Sequence, residues 1–411
     1  MALHDLAIVP GEALDFEDLI APVPIGQFIA EYWQKKPCHI SGSPDKYRRL
    51  FSWNALNNLL ASHHFAHPRF RMSKGGAEIP PQEYLETLRF TKGNRVDEAG
   101  LYRQFSQGAT IIVQHADEFS SDLFRLAEAL EAGLGWHTEV EIIAGSGCSN
   151  GLPIHVDAND CLVFQIEGSK RWRFYGPTRP APLKSSKIFP HRYDTMPVPQ
   201  PDPNNPILTV EVNAGDFVYI PRGWWHLVEP LPGPCLSLNP TIYSPAVQDL
   251  LRWLVDELSV EDACRAHIPV DADAQEAVLE QVRMSIADRL NPQCIDAYRR
   301  FLANEMEMHR SIDLPAGALR KQALDGNATI MVAGQKPLHV TVDNNSSVFR
   351  LRWKGSDKHF SSEHLPMLLA LNDGRPHRVS DVLAVGSSPQ GRLLGIGFLL
   401  ELWEKDIIVC C

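Results

Sequence analysis

Residues 151–174, GLPIHVDANDCLVFQIEGSKRWRF, decide how this chain folds. The apolar run Cys161–Ile166, the Glu167-Gly168-Ser169 turn and a second run from Arg171 to Phe174 read as two strands joined by a tight connection. Just upstream, His155 and Asp157 stand two apart. In an extended strand such residues point the same way, so an imidazole and a carboxylate can converge on one point. His226 is the natural third member: it follows the strand-like run Asp216–Pro221 and a Pro-Arg-Gly turn that would present it at a strand edge. Two histidines and one carboxylate on one side of a metal are the facial set associated with non-haem Fe(II) oxygenases.

Lys170 lies fifteen residues after His155, past the first strand and its turn, and can return toward the same point on the neighbouring strand. A buried lysine needs an anion. A dicarboxylic co-substrate that chelates iron through one end would offer its other end.

Working outward, 411 residues suit two or three domains. Hydrophobic content of 44% with 22% charged residues describes a soluble globular protein. No apolar run approaches the roughly 18 residues of a membrane span, and the start, MALHDLAIVPGEALDFEDL, has no basic segment followed by an apolar one, so a cytoplasmic protein without membrane association is expected. The eight cysteines form no CxxC motif, which argues for reduced thiols over a zinc knuckle or a disulfide framework. Positions 312–411 hold 11 Lys and Arg against 10 Asp and Glu, which leaves 28 against 40, or -12, for the first 311 residues, so the acidity lies with the HxD motif. This disfavours direct nucleic-acid binding and suits a cationic partner.

Four segments follow from the changes of pattern. Residues 1–139 read as an α/β lead-in, with an amphipathic helix over Pro24–Trp33, a strand at Cys38–Ile40, another at Ala109–Val113 and a helix from Ser121 to about Ala132. Residues 140–244 hold eight short strand-like runs at 140–144, 154–157, 161–166, 171–175, 207–212, 216–220, 226–229 and 235–239, the count of a double-stranded β-helix (jelly-roll or cupin) core. The proline-rich stretch 176–206 breaks the pattern and reads as a long loop, either a substrate-binding insert or plain surface. Residues 245–311 turn helical: Val247, Leu250, Leu251, Leu254, Val255 and Leu258 share a face, and further helices are expected near 273–290 and 293–309. Residues 312–411 combine strands at 328–332, 338–342 and 348–353 with helices from Ser361, at 379–385 and 389–403, and a last strand at 407–410, the outline of a winged-helix unit. The fold class is thus mixed α+β.

HxD, the lysine within EGSKRW and the late YIPRGWWH together resemble the JmjC family of Fe(II)/2-oxoglutarate oxygenases, with the first two most similar to its ribosomal oxygenase branch. WQKKPCHI (33–40) resembles the opening of that branch, and YIPRGWWH looks more like the asparaginyl hydroxylase that acts on hypoxia-inducible factor. The resemblance implies Fe(II) held by His155, Asp157 and His226, 2-oxoglutarate held by Lys170, O2 as oxidant, and hydroxylation of an amino-acid side chain in a protein, a ribosomal one in the branch it most resembles. It also implies that the helical segment forms a homodimer. By the LSLN pattern, Asn239 resembles an asparagine lining the co-substrate pocket, with Ser237 beside it; a strand residue before Pro240 serving only structure fits equally.

Substrate residues depart from the branch. Ribosomal histidinyl hydroxylases carry an asparagine and a tyrosine on the strand before the motif, and counting back from His155 places Glu141 and Ile143 there instead. A glutamate in the pocket would grip a guanidinium or ammonium group. Of the tryptophans before His226, Trp225 is assigned to the substrate side. Two alternatives stay open: hydroxylation of a peptide natural product or small amino-acid derivative, and a metal-free cupin-like binding protein.

Overall fold

Alternation along the central strands sorts the side chains of the first half of the chain into two layers. On the Asp160–Glu167 strand, Leu162, Phe164 and Ile166 join a large core with Phe16, Phe28, Leu126 and Leu130, whereas Val163 faces the other way and packs with Trp172, Phe174, Val218 and Ile220. Side chains of period two can serve both layers only from an extended backbone.

The computed structural model describes residues 14–88, 93–147, 152–178, 181–183, 199–305, 327–333, 338–342, 347–353, 356–373, 375–385, 389–405 and 407–410. It divides into two units, Met1–Ser244 and Pro245–Cys411. In the first, chain order runs α1 (Phe16–Ile20), α2 (Ile25–Glu31), β1 (Cys38–Ile40), α3 (Trp53–Ser62), β2 (Phe70–Lys74), β3 (Ala77–Glu78), β4 (Leu85–Thr87), β5 (Asn94–Val96), α4 (Glu98–Ser106), β6 (Thr110–Val113) and α5 (Ser121–Leu134). It continues with β7 (Thr138–Gly145), β8 (His155–Val156), β9 (Asp160–Glu167), β10 (Lys170–Tyr175), β11 (Leu208–Val212), β12 (Phe217–Ile220), β13 (Trp225–Pro230) and β14 (Cys235–Ile242). An eight-stranded sheet has the order β1-β12-β9-β14-β7-β6-β2-β3 and a four-stranded sheet the order β11-β10-β13-β8, with antiparallel pairing between neighbours. This is a cupin-like core. Each of the eight runs expected between 140 and 239 is a strand here.

The lead-in segment contributes more to the sheet than its sequence suggests. Cys38–Ile40 pairs with Phe217–Tyr219, and β6 joins β7 to β2, so the N-terminal segment widens the large sheet at both edges. Its helices cover the outer face. Phe28 meets Phe217 and Tyr219 edge-on at 6.2 and 5.2 Å, and burying such a ring contributes about 1.5–3 kcal/mol. Helix α5 is held at both ends, by the Ser120 hydroxyl accepting from Leu123 N–H and by Gly135 at φ 75. Gly168, at φ 70, makes the turn into β10; a Cβ there would lie 2.2 Å from the Pro234 carbonyl oxygen.

In the second unit, α6 (Val247–Glu257), α7 (Asp262–Arg265), α8 (Ala272–Arg289) and α9 (Pro292–Glu305) precede β15 (Thr329–Val332), β16 (His339–Val342), β17 (Val348–Trp353), β18 (Ser356–Ser361), α10 (Leu365–Leu371), β19 (His377–Arg378), α11 (Val379–Val385), α12 (Pro389–Glu404) and β20 (Ile408–Cys410). Strands β16-β17-β18 form one antiparallel sheet and β19-β15-β20 another. Helix α6 buries Trp253 and Leu254, with Leu258 buried just past its end, but leaves Val247 and Val255 72% and 67% exposed, so its apolar arc is wider than its own unit covers. Helix α8 buries none of its residues. The expected continuation of α9 to residue 309 lies outside the described residues, as do 179–180 and 184–198 of the proline-rich stretch.

A candidate metal centre and a buried lysine

Strand β8 is two residues long, and β13 pairs with it so that His226 stands directly opposite His155. Directly opposed residues project to the same side of a sheet, and the two imidazoles lie 4.2 Å apart between ring centroids. Asp157, two residues beyond His155, comes to the same place: its Oδ1 lies 3.9 Å from His155 Nε2 and its Oδ2 3.5 Å from His226 Nε2. One donor atom from each of the three falls within 4.8 Å of the others.

Both histidines are oriented from behind. His155 Nδ1 contacts the Pro153 carbonyl oxygen at 2.9 Å, and His226 Nδ1 contacts that of Trp224 at 3.1 Å. A carbonyl only accepts, so each Nδ1 carries the proton and each Nε2 offers a lone pair toward Asp157. Burial pushes the His226 imidazole down to about 4, which keeps it neutral and ready to ligate. Among the described residues no fourth histidine, cysteine or carboxylate completes a closed tetrahedral set. Two nitrogens and one oxygen with open positions opposite fit Fe(II) better than structural zinc.

The other end of the site is drier. Lys170 opens β10 and is 6% exposed; its ammonium donates to Ser237 Oγ at 2.9 Å, and that hydroxyl donates to Asn239 Oδ1 at 2.8 Å. Ser237 and Asn239 share one face of β14, opposite Ile143 and Glu141 of β7. Burial lowers the lysine from its ordinary value, and among the described residues no carboxylate lies within ion-pair distance of it. A single cavity is lined by His155, Lys170, Trp172, Asn239, Ile143 and Thr110, among others, so it joins the triad to the lysine.

Of the residues assigned to substrate, Ile143 lines this cavity. Glu141 is half-buried and accepts from Gln114 Nε2 at 2.9 Å; burial raises its carboxyl, and the nearby Asp157 adds to this. Trp225 is a correction. It neighbours His226 on β13 and therefore faces away from it; its side chain is buried on the far side, with the indole N–H donating to Thr178 Oγ1 at 2.8 Å. The indole beside the triad is instead Trp172, stacked on His226 at 5.8 Å between centroids. Sequence reading missed it, although its position two after Lys170 on one strand is a period-two signal. Thr110 and Gln114 were missed because nothing local shows that β6 lies beside β7.

Residues 113–250 match the JmjC domain family. The chain is 28% identical over 269 residues to ribosomal oxygenase 2 of Rattus norvegicus, covering 62% of this chain and 54% of that protein. It is 24% identical over 211 residues to the bifunctional lysine-specific demethylase and histidyl-hydroxylase NO66 of Drosophila persimilis, covering 51% of this chain and 28% of that one. The chain therefore spans about half or less of the length of these relatives. Among solved structures, the ribosomal oxygenase YcfD of Escherichia coli in complex with cobalt and 2-oxoglutarate superposes with a TM-score of 0.51 at 16% identity, over 95% of this chain and 98% of that one. At that identity the likeness concerns the fold.

Proposed function

Because residues 113–250 of this chain are a JmjC domain, we propose that it is an Fe(II)- and 2-oxoglutarate-dependent oxygenase that hydroxylates an amino-acid side chain of a protein, with a ribosomal protein as the leading candidate. The observation that carries this reading is the joint placement of two neutral-capable imidazoles, a carboxylate and a buried ammonium around one cavity. In it, His155, Asp157 and His226 hold the iron, and Lys170 pairs with the distal carboxylate of 2-oxoglutarate. Bound iron, with 2-oxoglutarate and O2, supplies the oxidising power that removes hydrogen from an unactivated C–H bond.

The protein's own share is orientation and electrostatics. The Pro153 and Trp224 carbonyls hold the two Nε2 atoms toward the metal position. Ser237 takes one ammonium proton of Lys170 into a hydrogen bond and hands its own to Asn239, leaving the remaining ammonium protons for an anion. Trp172 and Ile143 keep that end apolar, which strengthens the ion pair.

Glu141 supports a cationic substrate residue, since it lies opposite the cavity-lining Asn239, two residues before Ile143 on the same strand, and its carboxyl feels the charge of Asp157. We assign residues 1–139 to a buttress of the barrel, 140–244 to the catalytic core, 245–311 to a homodimer contact and 312–411 to a winged-helix-like domain. Exposure of Val247, Leu251 and Val255 along α6 supports the dimer contact, and the three helices α10–α12 with the β19-β15-β20 sheet support the winged-helix reading. The test is incubation with Fe(II), 2-oxoglutarate and purified ribosomal proteins, followed by mass spectrometry. A gain of one oxygen atom on a single residue, coupled to succinate release, is expected. Succinate release without any modified protein would redirect the reading to a peptide natural product or small amino-acid derivative.

A further inference from the structure

The metal-binding loop is anchored from one side only by its own strand. One further residue of β8 and three of loop separate His155 from the start of β9 at Asp160, and this is too little ladder to fix a carboxylate against an imidazole some seventy positions away. Two hydrogen bonds stitch the loop to the turn that carries His226. Gly223 N–H donates to the Asp157 carbonyl at 2.9 Å, and Arg222 N–H donates to Asp160 Oδ1 at 3.3 Å.

Asp160 itself is 1% exposed. Its Oδ1 also accepts the Tyr219 hydroxyl at 2.7 Å, and its Oδ2 accepts the Ser244 hydroxyl. Tyr219 in turn accepts the Gln34 N–H at 2.7 Å, so the N-terminal segment is tied to the same point. The carboxylate thus gathers donors from β12, from the 221–224 turn and from Ser244, two residues past β14. All three are neutral. Burying a charge among neutral donors is costly, and a structural tie alone could be made by a neutral side chain.

We propose that Asp160 is a positioning residue of the metal centre: it locks the HxD loop to the Pro-Arg-Gly turn and so sets the separation between the Asp157 carboxylate and the His226 ring. The proposal rests on the reading of His155, Asp157 and His226 as metal ligands. Asparagine at 160 keeps the shape and one acceptor but replaces the other oxygen with an amide nitrogen, so it loosens the tie without opening a cavity. Alanine removes it altogether.

The experiment titrates the whole 411-residue chain with Co(II), reading affinity by calorimetry and ligand geometry by the visible bands of the bound ion. Asp160→Asn is expected to weaken Co(II) binding about 10- to 100-fold, the usual effect of losing a partner behind a metal ligand, and to shift the bands. Tyr47→Phe is the stability control: its buried hydroxyl bonds the Leu19 carbonyl, away from the triad, so it should lower the melting temperature and leave Co(II) binding unchanged. If Asp160→Ala does not fold, Asp160→Asn carries the test. Wild-type affinity and an unshifted spectrum in Asp160→Asn would overturn the assignment, as would an equal loss of affinity in Tyr47→Phe. Failure of the wild-type chain to bind one Co(II) would overturn the metal reading itself and this inference with it.

Discussion

At one end of the cavity His155, Asp157 and His226 come from a two-residue strand, a loop and the strand after a turn, and the Asp157 side chain is 41% exposed. At the other end Lys170, Ser237 and Asn239 sit on strands of six and eight residues, and none is more than 6% exposed. The contrast follows from what each end must do. A metal that exchanges ligands and admits a substrate needs an open side, so His155 and Asp157 stand at the rim and only His226 is buried behind them. A cation that binds a dicarboxylate benefits from low dielectric, which only the sheet interior provides. The cost falls on the protein without that anion, where among the described residues the buried ammonium donates to the Ser237 hydroxyl and to no carboxylate.

The contrast breaks most visibly at the open end. Asp157→Ala and His226→Ala should each lower turnover by about a thousandfold or more, the several kcal/mol that a bound metal contributes, with Co(II) binding lost in the same proteins. Turnover within tenfold of wild type in either would remove the metal from the argument.

The dry end should behave in the opposite sense for stability and for binding. Lys170→Met is expected to weaken 2-oxoglutarate by about 10- to 100-fold, since a hydrogen bond to a charged group contributes about 1.5–3 kcal/mol, while raising the melting temperature of the ligand-free chain. The pH dependence has a definite sign. Lys170 has a lowered value in the fold, so between that value and the ordinary lysine range the unfolded chain holds more protons, and ligand-free stability should rise with pH across that window. Urea unfolding along a pH series should show this rise in wild type and lose it in Lys170→Met. Equal slopes in the two would mean that the lysine carries no such penalty.

A smaller effect separates substrate from co-substrate. Glu141→Gln should reduce kcat/KM for a substrate with a cationic target residue about tenfold, in line with loss of a charge-assisted hydrogen bond, and leave the 2-oxoglutarate KM unchanged. A changed co-substrate KM would assign Glu141 to the wrong end. The smallest effect is expected at Trp225→Phe, which loses one hydrogen bond to Thr178; about 1 kcal/mol of stability should go with metal affinity intact. A large drop in Co(II) binding there would contradict its placement on the outer side of β13.

Much of this was legible in the linear sequence because it depends on short-range geometry. His155 and Asp157 share a side through period two, Lys170 returns on the strand after a Glu-Gly-Ser turn, and Ser237 and Asn239 repeat the same spacing. The eight core strands were readable from apolar runs punctuated by Gly and Pro. What required the fold is register. That His226 sits opposite His155, that Trp172 and not Trp225 stacks on it, and that Thr110 reaches the cavity while Gln114 reaches Glu141 are facts about which strand lies beside which. A one-residue slip would turn every one of those side chains to the other face. Residue types and local spacing therefore determined the chemistry the site can hold, and long-range strand pairing alone decided which residues share it, because backbone hydrogen bonding between distant segments leaves no local trace in the chain.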